Sequence, residues 1–222
     1  MQRAWFLSIW IAASASAAGA APTFVVNSLV DAPASANVAD GVCETGPGNG
    51  VCTLRAAVME ANAVPGGGAH IEVPAGVYLL THAGAGEDAG ASGDLDITSA
   101  VTIDGEGPGV TIVDGLQYDR VLSNVATGAS VRGLTLRNGM INPGAGISNA
   151  GSLTLENVAV SANRDAGIVN SGVLELRHSI VQGSSYGGSG APAHSVSRTR
   201  SCAATVPQES TRWGATRESS AA

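Results

Sequence analysis

Lysine is absent from the 222-residue chain: all 11 cationic residues are arginines, set against 18 acidic ones, for a net charge of −7. That balance excludes nucleic acid as a partner, because neutralising phosphates needs a basic surface. Charge of either sign is scarce at 13%, and aromatic residues make up only 4%. An ordinary domain carries roughly 25% charged residues. With 44% hydrophobic residues, the composition is still the reverse of a disordered chain, which is poor in apolar residues and rich in net charge. It suffices for one sizeable domain. G-x-S-x-G, H-E-x-x-H, P-loop, EF-hand and calcium-nonapeptide patterns are all missing, so no cofactor and no metal site are expected. What is abundant is glycine, 30 residues without a G-X-Y period. This excludes collagen and suits a chain that turns often and packs its backbone closely.

The N-terminus reads as an export signal. Met1-Gln2-Arg3 is a short positive region, and "AWFLSIWIAASA" is an apolar stretch too short to span a membrane. Ala18-Gly19-Ala20 offers small residues for cleavage, which places the leader at 1–20. No later segment is long and apolar enough to span a bilayer, so the mature chain is expected to be secreted or held at the outer surface of a bacterium. Cysteine use agrees. Cys43 and Cys52 bracket "ETGPGNGV" and can close that loop as a disulfide in an oxidising compartment; two free thiols are the alternative, and Cys202 is left over.

Leu54, Ala57, Val58 and Ala61 recur at helical spacing, with Thr53 as a capping residue and "PGGG" at 65–68 as the stop. This predicts a helix over 53–63. Beyond Ile71 the pattern changes to short alternating runs punctuated by glycine: "IEVPAGVYLL", "GDLDI", "VTIDG", "VTIVDG", "SVRGLTLRNG", "SLTLENVAVSAN", "VLELRHSIVQG". "AGISNAGSLTL" from Ala145 returns as "AGIVNSGVLEL" from Ala166. Superposed, Val110, Ile112 and Gly115 fall on Leu134, Leu136 and Gly139, these on Val158, Val160 and Asn163, and Val160 on Val181. A repeat of about 21–24 residues with short strands indicates an all-β solenoid of parallel coils. A leucine-rich horseshoe fits less well, since the return segments carry Gly, Asn and Ser rather than a helix.

Stacked coils superpose equivalent side chains about 4.8 Å apart. Ile147 should lie on Ile168, Leu153 on Leu174 and Leu155 on Leu176, while Asn149 and Asn170 form a polar ladder. Gly146, Gly167, Gly151 and Gly172 are assigned to corners of close approach or positive φ. The organisation is a leader at 1–20, an N-terminal cap at 21–70, coils at 71–183 and a tail at 184–222. The tail lacks alternation and carries four arginines against two glutamates. It is expected to be disordered, or the product of a frameshift or truncation. The coil end before it is open and is expected to self-associate, because unpaired strand edges do.

"DGVCETGPGNGVCTLRAAVMEANA" resembles the CSLREA-type domain of exported bacterial proteins, whose cysteine loop ends in Cys-Ser-Leu-Arg-Glu-Ala. The matching residues are Cys52-Thr53-Leu54-Arg55-Ala56-Ala57, with Thr53 keeping the hydroxyl and Ala56 departing from the glutamate. Glu60 and Asn62 continue the pattern. "GDLDI", "TIVDG", "GLTLRNG" and "GISNAGSLTLENV" resemble the right-handed parallel β-helix that follows such domains, and the repeats of polymorphic outer-membrane and pectate-lyase-like proteins. The resemblance spans roughly residues 24–183. It implies an exported or surface-displayed protein and transfers no well-defined activity; a surface or adhesive scaffold with extracellular or cell-surface glycan as a partner is the separate expectation.

Two functions are expected to compete: a non-enzymatic scaffold, and a lyase acting on acidic polysaccharide. The second needs convergent carboxylates or Ca²⁺ beside a basic group. Asp94 and Asp96 are the candidate pair, with Asp104, Asp114, Arg120, Arg132 and Arg137 further along. The simpler reading makes Asp94 and Asp96 a solvated outer face, Asp104-Gly105 and Asp114-Gly115 turns, and His82 and His178 surface residues. On that balance no catalytic residue is assigned.

Overall fold

A computed structural model describes residues 20–36, 38–84, 86–140, 146–164 and 166–183. The expected leader, apart from Ala20, and the expected tail at 184–222 lie outside the described residues. Strand β1 (Thr23–Val25) precedes the helix α1 (Leu54–Ala63). Then follow β2 (Ala69–Val73), β3 (Gly76–Leu79), β4 (Leu95–Ile97), β5 (Val101–Gly105), β6 (Thr111–Asp114), β7 (Leu122–Asn124), β8 (Ala129–Arg132) and β9 (Thr135–Arg137). The last are β10 (Ile147–Asn149), β11 (Ser152–Glu156), β12 (Ala159–Ser161), β13 (Ile168–Asn170), β14 (Val173–Arg177) and β15 (Ile180–Gln182).

Every strand pairing is parallel, and the strands form three sheets: β1-β2-β5-β8-β11-β14, β4-β7-β10-β13 and β3-β6-β9-β12-β15. From β2 to β13 each pass of the chain contributes one strand to each sheet, which makes the fold a β-solenoid. The predicted stacks are present: Ile147 pairs with Ile168, Leu153 with Leu174 and Leu155 with Leu176. Inward rows such as Phe24-Ile71-Ile103-Val131-Leu155 form one continuous core between the three sheets. No single turn has enough apolar neighbours to enclose its own row, so burial comes from the turns above and below.

The register differs from expectation in the second turn. Val113, not Ile112, stacks on Leu136, while Ile112 pairs with Thr135 and Val110 is exposed. The turn at Gly107–Val110 shifts this strand by one residue, and in a strand one residue exchanges the inner face for the outer. Turn length is also less regular than 21–24. Ala69 pairs with Val101, 32 residues on, and Ser152 with Val173, 21 residues on. The early turns carry longer excursions, above all the segment between β3 and β4.

Glycine answers a specific need at the tight corners. A Cβ on Gly151 would run into the carbonyl oxygen of Ala126, and one on Gly172 into that of Gly151. These are positions of close backbone approach, so the predicted role is met by space rather than by a positive φ.

The helix follows the pattern read from its residues. Thr53 caps it, its Oγ1 accepting from the Ala56 N–H at 3.0 Å. Leu54, Ala57, Val58 and Ala61 are buried, and α1 packs against β1, β2 and β4. Strand β1, which precedes the helix, joins the six-stranded sheet beside β2. The Cys43–Cys52 disulfide is formed, with Cα atoms 5.1 Å apart. Among the described residues no helix is long and apolar enough to cross a membrane.

Candidate functional site

Two regions concentrate polar chemistry. The first lies where α1 meets the first turn. Arg55 is wholly buried, and its five N–H donors are all used. Nε and Nη2 hold the Asp31 carboxylate at 2.6 and 3.3 Å, Nη1 reaches the carbonyls of Gly90 and Asp94 at 3.0 and 3.2 Å, and Nη2 also reaches that of Gly93 at 2.8 Å. Asp31 further accepts from the His82 N–H at 2.9 Å. Asn62, about two helical turns further on, donates to the Asp96 carbonyl at 2.6 Å and accepts from the Thr98 N–H at 2.9 Å. Glu60 accepts from the Ala39 N–H at 3.0 Å, and burial raises its pKa. Arg55, Glu60 and Asn62 thus fasten three separate chain segments to one helix.

Asp94 and Asp96 sit beneath this arrangement. They are 0% and 4% exposed, which overturns the expectation of a solvated outer face. Burial is imposed by the segment between β3 and β4, which folds back over the start of β4 instead of leaving a free turn. Asp94 is paired with Arg120 at 3.0 Å. Asp96 has no such partner. Burial first, then the charges of Asp94, Glu87 and Asp88, push its pKa up to about 7 against the opposing pull of Arg120. Burial also raises Asp119, whose Oδ1 accepts from the Arg120 N–H at 2.7 Å. One carboxylate oxygen on each of Asp94, Asp96 and Asp119 is buried without a hydrogen-bond partner. Among the described residues no group of three His, Cys, Asp or Glu side chains is placed to hold a metal ion.

The second region is the outer face of the six-stranded sheet. One outward row runs Glu72-Asp104-Arg132-Glu156-Arg177, and beside it runs His70-Thr102-Ser130-Thr154-Glu175. Signs alternate along the first row from Asp104 onward. Arg132 lies 3.9 Å from Asp104 and 3.4 Å from Glu156, His70 Nε2 is 2.8 Å from Asp104, and Arg177 is 2.8 Å from Glu175. Across β8, β11 and β14 these side chains line a shallow depression of about 270 Å³, with Ser152 and Thr154 supplying hydroxyls, while the Ser130 Oγ is buried. Asp104 is therefore an outward strand residue rather than a turn residue. Asp114 likewise lies in β6. Burial acts against its charge, but Asn138, the Leu116 N–H and Arg137 hold its carboxyl below the usual range.

The asparagine ladder is formed, and it is longer than expected. Asn149 Nδ2 donates to Asn170 Oδ1 at 2.5 Å, and Asn124 Nδ2 donates to Asn149 Oδ1 at 2.7 Å. Asn124 was legible: "LSN" at 122–124 precedes "ISN" at 147–149 and "IVN" at 168–170. The two histidines read as surface residues, His82 and His178, are exposed. His70, which no pattern singled out, meets the Asp104 carboxylate.

Compared with protein-family models, with curated proteins and with solved structures, the chain matches none.

Proposed function

We propose that the chain is an exported, non-enzymatic scaffold that displays the outer face of its longest sheet to a hydroxyl-rich extracellular or cell-surface glycan. The observation that carries this reading is where the carboxylates lie. Asp94 and Asp96, the pair a lyase would need, are enclosed, and Asp94 is committed to Arg120. A polymer cannot reach them while the first turn is closed. The accessible polar surface is instead the regular face of β8, β11 and β14, where serine and threonine hydroxyls alternate with guanidinium and carboxylate groups. Those are the donors and acceptors that sugar hydroxyls require.

Export is supported by the Cys43–Cys52 bond, which persists in oxidising compartments. A CSLREA-type cap on a right-handed solenoid is supported by the residues themselves. Cys52, Thr53 and Arg55 serve as a disulfide partner, a helix cap and a buried anchor. Right-handedness is the rule for parallel strand connections.

The test is a pair of assays on the same preparation. A glycan array should show binding that Arg132→Ala and Arg177→Ala reduce. Incubation with pectate, alginate and chondroitin in the presence of Ca²⁺ should produce no unsaturated uronate. Uronate absorbance that Asp96→Asn abolishes would replace the scaffold by the lyase-like reading.

A further inference from the structure

The three sheets finish on β13, β14 and β15, with no further strand beside them among the described residues. The side-chain rows show what this end lacks. Leu153 and Leu155 are 2% and 0% exposed, whereas Leu174 and Leu176, next in the same rows, are only partly buried, as are Ile168 and Val181. The amide row is one bond short. Asn124 Nδ2 donates to Asn149 and to the Ala126 carbonyl, and Asn149 Nδ2 to Asn170 and to the Val173 carbonyl, but among the described residues Asn170 Nδ2 donates only to the Gly172 carbonyl. The backbone is open as well. The Val173 N–H and the Arg177 carbonyl bond back to the preceding turn. Alternate residues of a paired strand face opposite sides, so the peptide groups of Leu174 and Leu176 face outward from the end.

We propose that this end docks against the same end of a second copy about a two-fold axis, with β14 antiparallel to its mate. The opposite end is built differently: β1 is the edge of the six-stranded sheet there, and α1 packs against β1, β2 and β4. The two ends are therefore not alike, and a contact between identical ends closes as a two-fold dimer. Charge selects the register. Glu175 and Arg177 point outward, in the rows of Thr154 and Glu156, while Leu174 and Leu176 point inward. An axis through Glu175 would oppose two carboxylates. An axis through Leu176 sets each Glu175 across from Arg177 of the other copy and joins leucine to leucine in a continuous core. Opposite charges facing each other across an antiparallel pair are favourable and like charges are not. Residues 184–222 hold no alternating apolar run that could supply such a row.

The contact stands independently of the scaffold reading, and its test needs no glycan. Sedimentation equilibrium of the full chain should report a dimer. Glu175→Arg and Arg177→Glu should each raise the dissociation constant by about tenfold or more, and the double exchange should restore it. Both side chains are on the outer face, so thermal unfolding should confirm that each variant still folds. In a Leu176→Cys chain, oxidation should link two copies through position 176, since paired Cα atoms at about 4.5–5.5 Å suit a disulfide. A monomer at every concentration overturns the proposal. So does a double exchange that fails to recover the dimer. A link from position 176 to Cys202 also overturns it, because the chain's own C-terminal segment would then be the occupant.

Discussion

Asn149 receives an amide hydrogen from Asn124 at 2.7 Å and passes one to Asn170 at 2.5 Å, so the carboxamides of three successive turns all point the same way along the solenoid. Each link satisfies a polar group that the aliphatic rows around it would leave unpaired, and an unsatisfied buried group costs about 1–3 kcal/mol.

Asn149→Leu should therefore destabilise more than Asn170→Leu. The first orphans a donor on one side and an acceptor on the other, at about 1–3 kcal/mol each, while the second interrupts only the end of the row. The triple change of Asn124, Asn149 and Asn170 to leucine should cost less than the sum of the single changes, because no side-chain amide of the ladder is left unpaired and only the donations to the Ala126, Val173 and Gly172 carbonyls are lost. Urea midpoints rank the three. Equal midpoints for the two single variants would mean that the ladder contributes nothing.

Stability should fall as pH rises from 5 to 8. Asp96 has a folded pKa of about 7, above the roughly 3.9 of an unfolded aspartate. The folded state thus holds the proton over that interval. The stabilisation is complete below the unfolded value, is lost as pH climbs through about 7, and amounts to about 4 kcal/mol at most. Asp96→Asn should flatten the pH profile of the melting temperature and raise it at pH 8. A profile unchanged by that substitution would assign the titration elsewhere.

Arg55→Met should cost about 3–5 kcal/mol, the range for breaking a buried pair by removing one partner, and Arg55→Lys should recover only part of that loss. One ammonium group has three donors where the guanidinium uses five. Calorimetry provides the magnitude, and proteolysis after Asp31 or near Gly90 should accelerate, because those are the segments released.

Serine in place of both Cys43 and Cys52 should cost about 2–3 kcal/mol for so short a loop. Unreduced peptide mapping of exported protein should recover the two cysteine peptides linked to each other. A Cys43–Cys202 link would remove the loop from the N-terminal region altogether.

The later turns were easiest to read from the sequence because they are the most regular: β10 to β15 repeat at 21 residues with the same apolar positions, so the stacks of Ile147, Leu153 and Leu155 could be named in advance. The second turn was misread by one residue at Ile112, where the turn at Gly107–Val110 broke the spacing. Asp94 and Asp96 were misplaced for a different reason. Alternation with Leu95 and Ile97 says which pair shares a face, but not that a distant helix and a long excursion cover that face. Asp104 and Asp114 carried a turn signal in Asp-Gly that the neighbouring turns overrode with His70, Arg132 and Arg137. Contacts between turns do not appear in a local window.

The five-way grip of Arg55 also sets a schedule. Asp31 and the helix leave the ribosome first, but three of the guanidinium's five bonds wait for carbonyls at Gly90, Gly93 and Asp94. During vectorial synthesis the N-terminal segment emerges early and is completed late. Until then it holds a cation with too few acceptors. The earliest-made part of the chain is thus a natural client for chaperones that hold a polypeptide open until the next coil arrives.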